Sequence, residues 1–226
     1  MSHSFGQFCP IALSSELLTQ RWMLLIIREL LAGSSRFNSI RRGVPKISAT
    51  LLKQRLDTLE RAKVVVKTTV ATGQYEYLLT EAGKQLQPVL VLIGEWGQRW
   101  ARDIKTEDLD PGWLIWNIHR RLNLDLLPPA QTVMEFEFVD AKPKERFFWI
   151  IALNQEVDVC LKNPGLPVTI KIKTQIQILA EVWRGIRNLN SEIKSNRIAL
   201  QGSNAVKAAF PRWLKLSAYA PIKREQ

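Results

Sequence analysis

The sequence predicts two domains of different fold class: a mostly α-helical N-terminal domain over residues 1–104 and a C-terminal α+β domain over residues 105–226. Apolar residues recur at helical spacing through much of the first half, whereas they alternate with polar residues between 134 and 173. An acidic stretch that ends in Pro-Gly, at 106–112, marks the boundary. The chain of 226 residues is long enough for two hydrophobic cores.

The composition is that of a globular protein with an excess of positive charge. Lys and Arg number 32 against 21 Asp and Glu, which gives a formal net charge of +11. Eleven of these cations lie between Arg21 and Lys67, together with only three acids. Such a window is the electrostatic footprint expected of a domain that binds double-stranded DNA. The alternative is a solvated basic face without a partner.

Several classes of protein are disfavoured. Cys9 and Cys160 are too few for a disulfide framework, and together with His3 and His119 they do not make a convincing zinc site, so we expect no metal and no cofactor. A reducing cytoplasmic location fits best. No apolar run approaches the ~20 residues that span a bilayer, so we expect neither export nor a membrane. Common catalytic motifs are missing, so we expect no enzyme.

Three helical patterns follow one another in the N-terminal domain. The first ends at Gly33, the second spans about 36–42, and the third begins after Ser48, a favourable N-cap, and continues to about Ala62. A short Gly-containing turn joins the second and third patterns, which is the signature of a helix-turn-helix. The inward apolar positions of the first and third helices are Trp22, Leu25, Ile26, Leu30, Leu52, Leu56 and Leu59.

The solvent side of the third helix, with the residues that precede it, carries side chains suited to DNA. Gln bonds adenine through two hydrogen bonds, while Lys and Arg bond guanine or phosphates. Such tips on the first turns of a second helix are typical of a recognition helix. The predicted DNA-binding residues are Arg36, Lys46, Ser48, Thr50, Lys53, Gln54 and Arg55.

A β-hairpin and a further helix follow. Residues 64–70 and 75–79 are rich in β-branched and aromatic side chains around a turn at 71–74, and a hairpin behind a recognition helix predicts a winged helix. Thr80 caps a last helix whose apolar stripe has few partners in so small a domain, so we expect it to bury itself against a second copy. The alternative is a core helix that packs on the next domain. The predicted dimerisation residues are Leu86, Leu90, Ile93 and Trp100.

Taken in order, these motifs resemble the HxlR family of bacterial winged-helix transcriptional regulators over about residues 8–102. The resemblance rests on Cys9-Pro10, the Trp22 helix, Gly33 with Arg36-Phe37, Ile47-Ser48, Leu52–Leu56 with Leu59-Glu60, and Tyr75–Gly83. It implies a homodimer in which each protomer offers the helix after Ser48 to a major groove of double-stranded DNA and the hairpin to the neighbouring backbone or minor groove. Lys63 stands where the family usually has a glycine, and Ser39 where an acidic residue is common.

The C-terminal domain begins with a helix from Trp113 to about Leu124. His119 has no carboxylate or cysteine partner within a turn, so we expect a structural or surface role for it. The period-two patterns predict an antiparallel sheet with helices on one face. The predicted strands cover 134–138, 147–153, 157–161, 168–172 and about 197–201, and two amphipathic helices cover 176–183 and 206–213.

This order of elements resembles a sterol carrier protein type lipid-binding domain over about residues 111–215. The motifs that carry the resemblance are Glu156–Cys160, Asn163–Gly165, Glu181–Gly185, Arg197–Gly202 and Ala209–Leu214. It implies an apolar chamber for a lipid or acyl chain between the sheet and the helices, the alternative being a filled core. The residues that would line this chamber are Phe136, Phe138, Trp149, Ile170, Ile172, Trp183, Phe210 and Trp213.

Three functions remain open. The first is a homodimeric DNA-binding transcriptional regulator whose C-terminal domain senses an apolar small molecule or lipid. The second is a thiol switch through Cys9, because some regulators of the HxlR type respond to electrophiles through an N-terminal cysteine and a predicted helix start favours reactive cysteines; alternatively, Cys9 is a small buried hydrophobe. The third is a lipid-binding carrier or scaffold in which the winged helix serves only for dimerisation.

Overall fold

The computed structural model describes residues 4–70 and 73–225. Contacts divide the chain into two compact units, Met1–Gly94 and Glu95–Gln226, hereafter the first and second unit. This division lies earlier than the boundary proposed from the sequence between residues 104 and 105. His3, and Ala71 and Thr72 of the predicted wing turn, lie outside the described residues. In the described part of the chain, no helix is both long and apolar enough to cross a bilayer.

The first unit combines helices with one two-stranded antiparallel hairpin, in which Val65 pairs with Leu79. Its last helix, α6, continues past the end of the unit. The elements are α1 (Pro10–Leu18), α2 (Met23–Leu31), α3 (Phe37–Gly43), α4 (Ala49–Arg61), β1 (Val65–Thr69), β2 (Tyr75–Leu79), α5 (Glu81–Lys84) and α6 (Gln87–Trp100).

Helix α2 buries a face adjacent to the one predicted. It begins at Met23, and Trp22 precedes it in the left-handed region with φ of 81°. Leu25, expected to face inward, is exposed, whereas Ile27 is fully buried. Two overlapping sets of apolar residues satisfy helical spacing in this segment, so the pattern alone did not fix which set faces the core. The buried set is Met23, Ile26, Ile27 and Leu30.

The end of α4 shows why position 63 suits a glycine. Lys63 has φ of 58°, the left-handed conformation that commonly ends a helix. The Val64 N–H donates to the Leu59 carbonyl at 3.0 Å and the Lys63 N–H to the Glu60 carbonyl at 2.9 Å, which satisfies two carbonyls at the helix end. Lysine therefore takes a conformation that glycine adopts at lower cost.

The helix predicted to follow Thr80 is divided into α5 and α6. The Thr80 hydroxyl accepts a hydrogen bond from the Gly83 N–H at 3.2 Å and caps α5. A Cβ atom at Gly83 would lie 2.3 Å from the Val64 carbonyl oxygen, so glycine allows α5 to approach the chain before β1. A new helix then starts at Gln87.

The second unit contains a five-stranded sheet in the order β5-β4-β3-β6-β7, together with helices. Helix α7 ends at His119, earlier than predicted, and α9 was not predicted. The elements are α7 (Pro111–His119), β3 (Thr132–Phe138), β4 (Phe147–Leu153), β5 (Glu156–Cys160), β6 (Ile170–Thr174), α8 (Ile176–Trp183), α9 (Leu189–Lys194), β7 (Ala199–Gln201) and α10 (Asn204–Trp213).

The sheet is mixed, and the prediction of a wholly antiparallel sheet is wrong for one pair of strands. Strands β3 and β6 run parallel, with Met134 opposite Ile170, while the remaining pairs are antiparallel. Alternation of apolar and polar residues identifies the two faces of a strand but carries no information about its direction. The segment 161–169 takes the chain from the edge strand β5 to the far side of β3.

Each face of the sheet has its own chemistry. One face contributes Met134, Phe136 and Phe138 to the core of the second unit. On the other face, Glu135 pairs with Lys171 at 3.2 Å and Glu137 with Lys173 at 3.4 Å. Hydrogen bonding to Arg146 holds the pKa of Glu137 below its usual value, so the carboxylate stays charged in this ladder.

Candidate nucleic-acid interface

Helices α3 and α4 and the turn between them form the predicted helix-turn-helix. The Ser48 hydroxyl accepts a hydrogen bond from the Leu51 N–H at 3.2 Å, which confirms the predicted N-cap of α4. Leu52, Leu56 and Leu59 are fully buried against the core of the first unit. The opposite side of α4 is therefore left to solvent.

Most predicted DNA-binding residues lie together on this solvent side. Thr50, Lys53 and Gln54 are exposed on the first turns of α4, and Lys46 and Ser48 are exposed just before it. An α-helix of this kind has the diameter that the major groove admits. The main role of Ser48 in the site is structural, because its hydroxyl caps the helix and determines where α4 begins.

Two of the predicted contact residues are engaged within the first unit. Arg55 donates from Nη1 to Gln20 Oε1 at 2.7 Å and from Nε to the Arg21 carbonyl at 3.2 Å, so it ties α4 to the loop between α1 and α2. Arg36 precedes α3 and lies 3.6 Å from Glu76 of β2 in an ion pair. Both side chains position the elements of the site, a role that helical spacing does not reveal.

A buried carboxylate beneath the turn was missed by the sequence analysis. Glu29 is only 1% exposed, and its carboxylate pairs with Arg28 at 2.9 Å. Arg28 Nη2 also donates to the Gly43 carbonyl at 2.8 Å, at the end of α3. The pair thereby ties α2 to the start of the turn. The only signal in the sequence was an isolated acid in a strongly basic window.

Gly43→Ala tests how closely the turn depends on this pair. The new Cβ would lie 1.8 Å from Glu29 Oε2, so either the carboxylate or the turn must move. We expect the free energy of unfolding to fall by about 1 to 3 kcal/mol, measured by urea denaturation. Asn38→Ala, at an exposed position of the same helix, is the control. A denaturation midpoint equal to that of the wild type would show that the turn tolerates a side chain here.

The wing is held by aromatic packing as well as by strand pairing. The Lys67 ammonium lies 3.8 Å from the centre of the Tyr75 ring. Tyr77 is buried, and this burial raises the pKa of its phenol, which keeps the group neutral. Strand β1 contacts α4, and β2 contacts α2 and α3. The predicted tip at 71–72 lies outside the described residues.

The predicted dimerisation residues lie on α6, except for Leu86 directly before it, and they divide between a buried and an exposed side. Leu86 and Leu90 pack against the core of the first unit. Ile93 and Trp100 are exposed, and they continue a stripe that the prediction only partly identified. A helical period finds apolar positions but does not say which face the domain already covers. We call the exposed set the outer stripe: Val89, Leu92, Ile93, Trp96 and Trp100.

The N-terminal segment is also apolar and exposed. Phe8 is 97% exposed and Ile11 is 75% exposed. Cys9 between them is an exposed free thiol at the N-cap of α1, followed by Pro10 at the first helical position. The alternative of a small buried hydrophobe at Cys9 is therefore excluded within this protomer.

The residues predicted to line a lipid chamber lie mainly inside a packed core. Trp149 is on the opposite face of the sheet, where its indole N–H donates to Glu135 Oε2 at 3.0 Å. The prediction for Trp149 is wrong because the uninterrupted apolar run of β4 hides which residues share a face. Trp183 is half-buried against Trp113, with ring centres 5.6 Å apart. The other six are buried in the core of the second unit: Phe136, Phe138, Ile170, Ile172, Phe210 and Trp213.

Comparison with known proteins identifies the first part of the chain. The profile of the HxlR-like helix-turn-helix family matches residues 17–105. The uncharacterized HTH-type transcriptional regulator YvaP of Bacillus subtilis is 34% identical over 112 residues, covering 48% of this chain and 96% of YvaP. The HTH-type transcriptional regulator YodB of the same bacterium is 35% identical over 96 residues, covering 41% of this chain and 86% of YodB.

A solved structure of the reduced form of YodB from B. subtilis also matches, with 32% identity and a TM-score of 0.39; it covers 44% of this chain and 100% of that chain. The match to YvaP extends over nearly all of that protein at more than 30% identity. Together with the profile match, it shows that the chain belongs to the family of HxlR-like helix-turn-helix proteins.

Proposed function

We propose that the protein is a homodimeric, DNA-binding transcriptional regulator whose second unit senses an apolar small molecule. The observation that carries this proposal is the exposed polar side of α4, with Thr50, Lys53 and Gln54 on its first turns. These side chains offer a hydroxyl, an ammonium and an amide to a base edge or a phosphate. The buried leucines behind them determine which side of the helix faces solvent.

The charge of the chain supports a polyanionic partner. The basic window around α3 and α4 contributes much of the net charge of +11, and binding to DNA releases counterions for each phosphate neutralised. Arg41, Arg42 and Lys46 are exposed at the end of α3 and in the turn, next to the proposed base-reading surface. They are the proposed phosphate contacts.

A second copy of the chain is the proposed partner of the outer stripe. Leu92 and Trp96 are 64% and 63% exposed, which is unusual for two large apolar side chains one helical turn apart. A two-fold dimer repeats the same surface on both subunits and presents two recognition helices to a palindromic site. The exposed Phe8 and Ile11 of the N-terminal segment extend the apolar surface available to the partner.

The proposal is tested by selecting genomic fragments with the purified protein and titrating the enriched site at several salt concentrations. We expect a preferred site with two related half-sites, and we expect the logarithm of the affinity to fall linearly with the logarithm of the salt concentration. Affinity for the enriched site no greater than for random DNA would reject the regulator and leave a carrier or scaffold as the function to pursue.

A thiol switch at Cys9 is the second candidate, favoured by the exposed sulfur at the start of α1. Treatment with diamide or a quinone is expected to lower DNA affinity of the wild-type protein and to leave Cys9→Ser unaffected. Cys160→Ser, which removes the other thiol, is the control and should respond like the wild type. Identical responses of the wild type and Cys9→Ser would end this candidate.

A further inference from the structure

The second unit contains an open cleft of about 830 Å³ that lies outside the predicted chamber. Two segments form its walls: residues 185–190, which follow α8, and residues 211–221, which include the end of α10 and the chain after it. Arg121, two residues after the end of α7, also lines the cleft. Clefts of this size accommodate small organic molecules.

The lining combines an apolar wall with uncompensated positive charge. Leu189, Leu214 and Leu216 pack on the edge of the second unit's core and leave part of their surface in the cleft. Arg121 and Lys215 also line it, whereas none of the described residues around it is Asp or Glu. The apolar wall suits a hydrocarbon or aromatic body, and the cations suit an anionic head group.

Of the cations at the cleft, Arg187 is already neutralised by ion pairs with Glu181 and Glu192. Arg121 donates from Nε to the Leu216 carbonyl at 2.6 Å, and within the described chain neither it nor Lys215 has a carboxylate partner. These two cations are bridged through the backbone, where the Lys215 N–H donates to the Arg121 carbonyl at 2.8 Å. They therefore offer a charge site that the protein itself leaves unfilled.

Direct contacts join the two sides of the cleft. The Ser217 N–H donates to the Trp183 carbonyl at 2.8 Å. Gly185 has φ of 78°, and a Cβ there would lie 2.6 Å from the Ala220 carbonyl oxygen. A molecule seated between the walls thus presses on two segments that are in direct contact.

Residues that adjoin these two segments bind the end of α6. Gln98 is 6% exposed and accepts at Oε1 from Arg184 Nε and Nη2, at 3.1 and 2.8 Å, while its Nε2 donates to the Arg184 carbonyl. Arg224 donates to the carbonyls of Gln98 and Ala101, at 3.2 and 2.9 Å, and to Asp103. Arg184 directly precedes one wall and Arg224 follows the other, so we call this set the α6 clasp: Gln98, Ala101, Asp103, Arg184 and Arg224.

We propose that the cleft binds an organic acid, a carboxylate on an apolar body, and that the α6 clasp transmits its binding to α6. The binding site is argued from the cleft alone, whereas its regulatory effect rests on the proposed function, in which α6 carries the dimer surface. Binding moves the two walls and, with them, the adjoining Arg184 and Arg224. The changed hydrogen bonds to Gln98 then alter the end of α6, the helix that carries the dimer surface. The ligand therefore binds one arrangement of the dimer more tightly than another and shifts the population toward that arrangement.

Calorimetric titration of the DNA-free protein tests the site with two carboxylates, decanoate and 2-naphthoate, each beside its neutral primary amide. We expect at least one carboxylate to bind about tenfold more tightly than its amide, the scale of a hydrogen bond to a charged group. Lys215→Gln should remove most of this preference. Lys194→Gln, at an exposed lysine outside the lining, is the matched control and should keep it.

Failure to bind either carboxylate, equal binding of the amides, or a Lys215→Gln variant that keeps the full preference would overturn the assignment. The clasp is tested separately by measuring DNA affinity with and without the bound carboxylate. We expect the ratio to differ from one in the wild type and to return to one in Arg224→Gln. An equal ratio in both proteins would reject transmission through the clasp. Carboxylate binding without any DNA binding would instead reject the proposed function and leave the site standing.

Discussion

Gln54→Ala is expected to relax base preference at one position in each half-site, whereas Lys53→Ala weakens binding to all duplexes alike. A glutamine that reads a base loses about 1 to 3 kcal/mol of discrimination when its amide is removed. A lysine that neutralises one phosphate lowers the slope of log affinity against log salt by about 1 when it is lost. Both side chains are exposed on α4, so neither change removes packing from the core.

Titration of the enriched site and of its single-base variants separates the two effects. Lys84→Ala is the matched control for charge, since this exposed lysine lies on α5 and pairs with Glu81 at 3.7 Å. It should leave both base preference and salt slope near those of the wild type. If Gln54→Ala and Lys53→Ala bind the enriched site as the wild type does, α4 is not the recognition helix.

Leu92→Glu combined with Trp96→Glu is expected to separate the dimer into monomers. Each of these side chains, if buried by a partner, contributes about 1.5 to 3 kcal/mol, and each new carboxylate would have to be desolvated at the interface. DNA affinity should fall when the dimer is lost, because a monomer binds only one half-site. Sedimentation at micromolar concentration measures the first effect and titration of the enriched site the second.

Val91→Glu provides the matched control on the same helix. Val91 is exposed but lies on the side of α6 opposite the outer stripe, so its charge stays in solvent. A protein that remains dimeric with both Leu92 and Trp96 replaced would place the dimer surface elsewhere on the chain.

Local patterns in the sequence were sufficient where one face of an element meets one core. The leucines of α4 and the capping role of Ser48 follow from helical spacing and from side-chain chemistry, and the structure has both as expected. The period-two strands likewise locate the sheet residues that fill the second core, such as Phe136 and Ile172. These features need only neighbours along the chain.

Features that depend on contacts between residues far apart in the sequence could not be predicted from local patterns. The parallel pairing of β3 with β6 follows from where segment 161–169 crosses, and alternation does not encode that. Arg55 was predicted to contact DNA. Its partner within the chain, Gln20, could not be foreseen because it belongs to a loop more than thirty residues earlier. Trp149 was assigned to the wrong face because every residue of β4 is apolar.

The most direct test of the central claim is to map where α4 lies on DNA with a cleavage reagent attached at position 50. Thr50→Cys, in a Cys9→Ser and Cys160→Ser background that removes the native thiols, places the reagent on the first turn of the helix. If α4 enters the major groove of each half-site, the cuts form two patches centred about one helical turn, or a multiple of it, apart. Cuts confined to the minor groove, or spread evenly along the bound fragment, would contradict it.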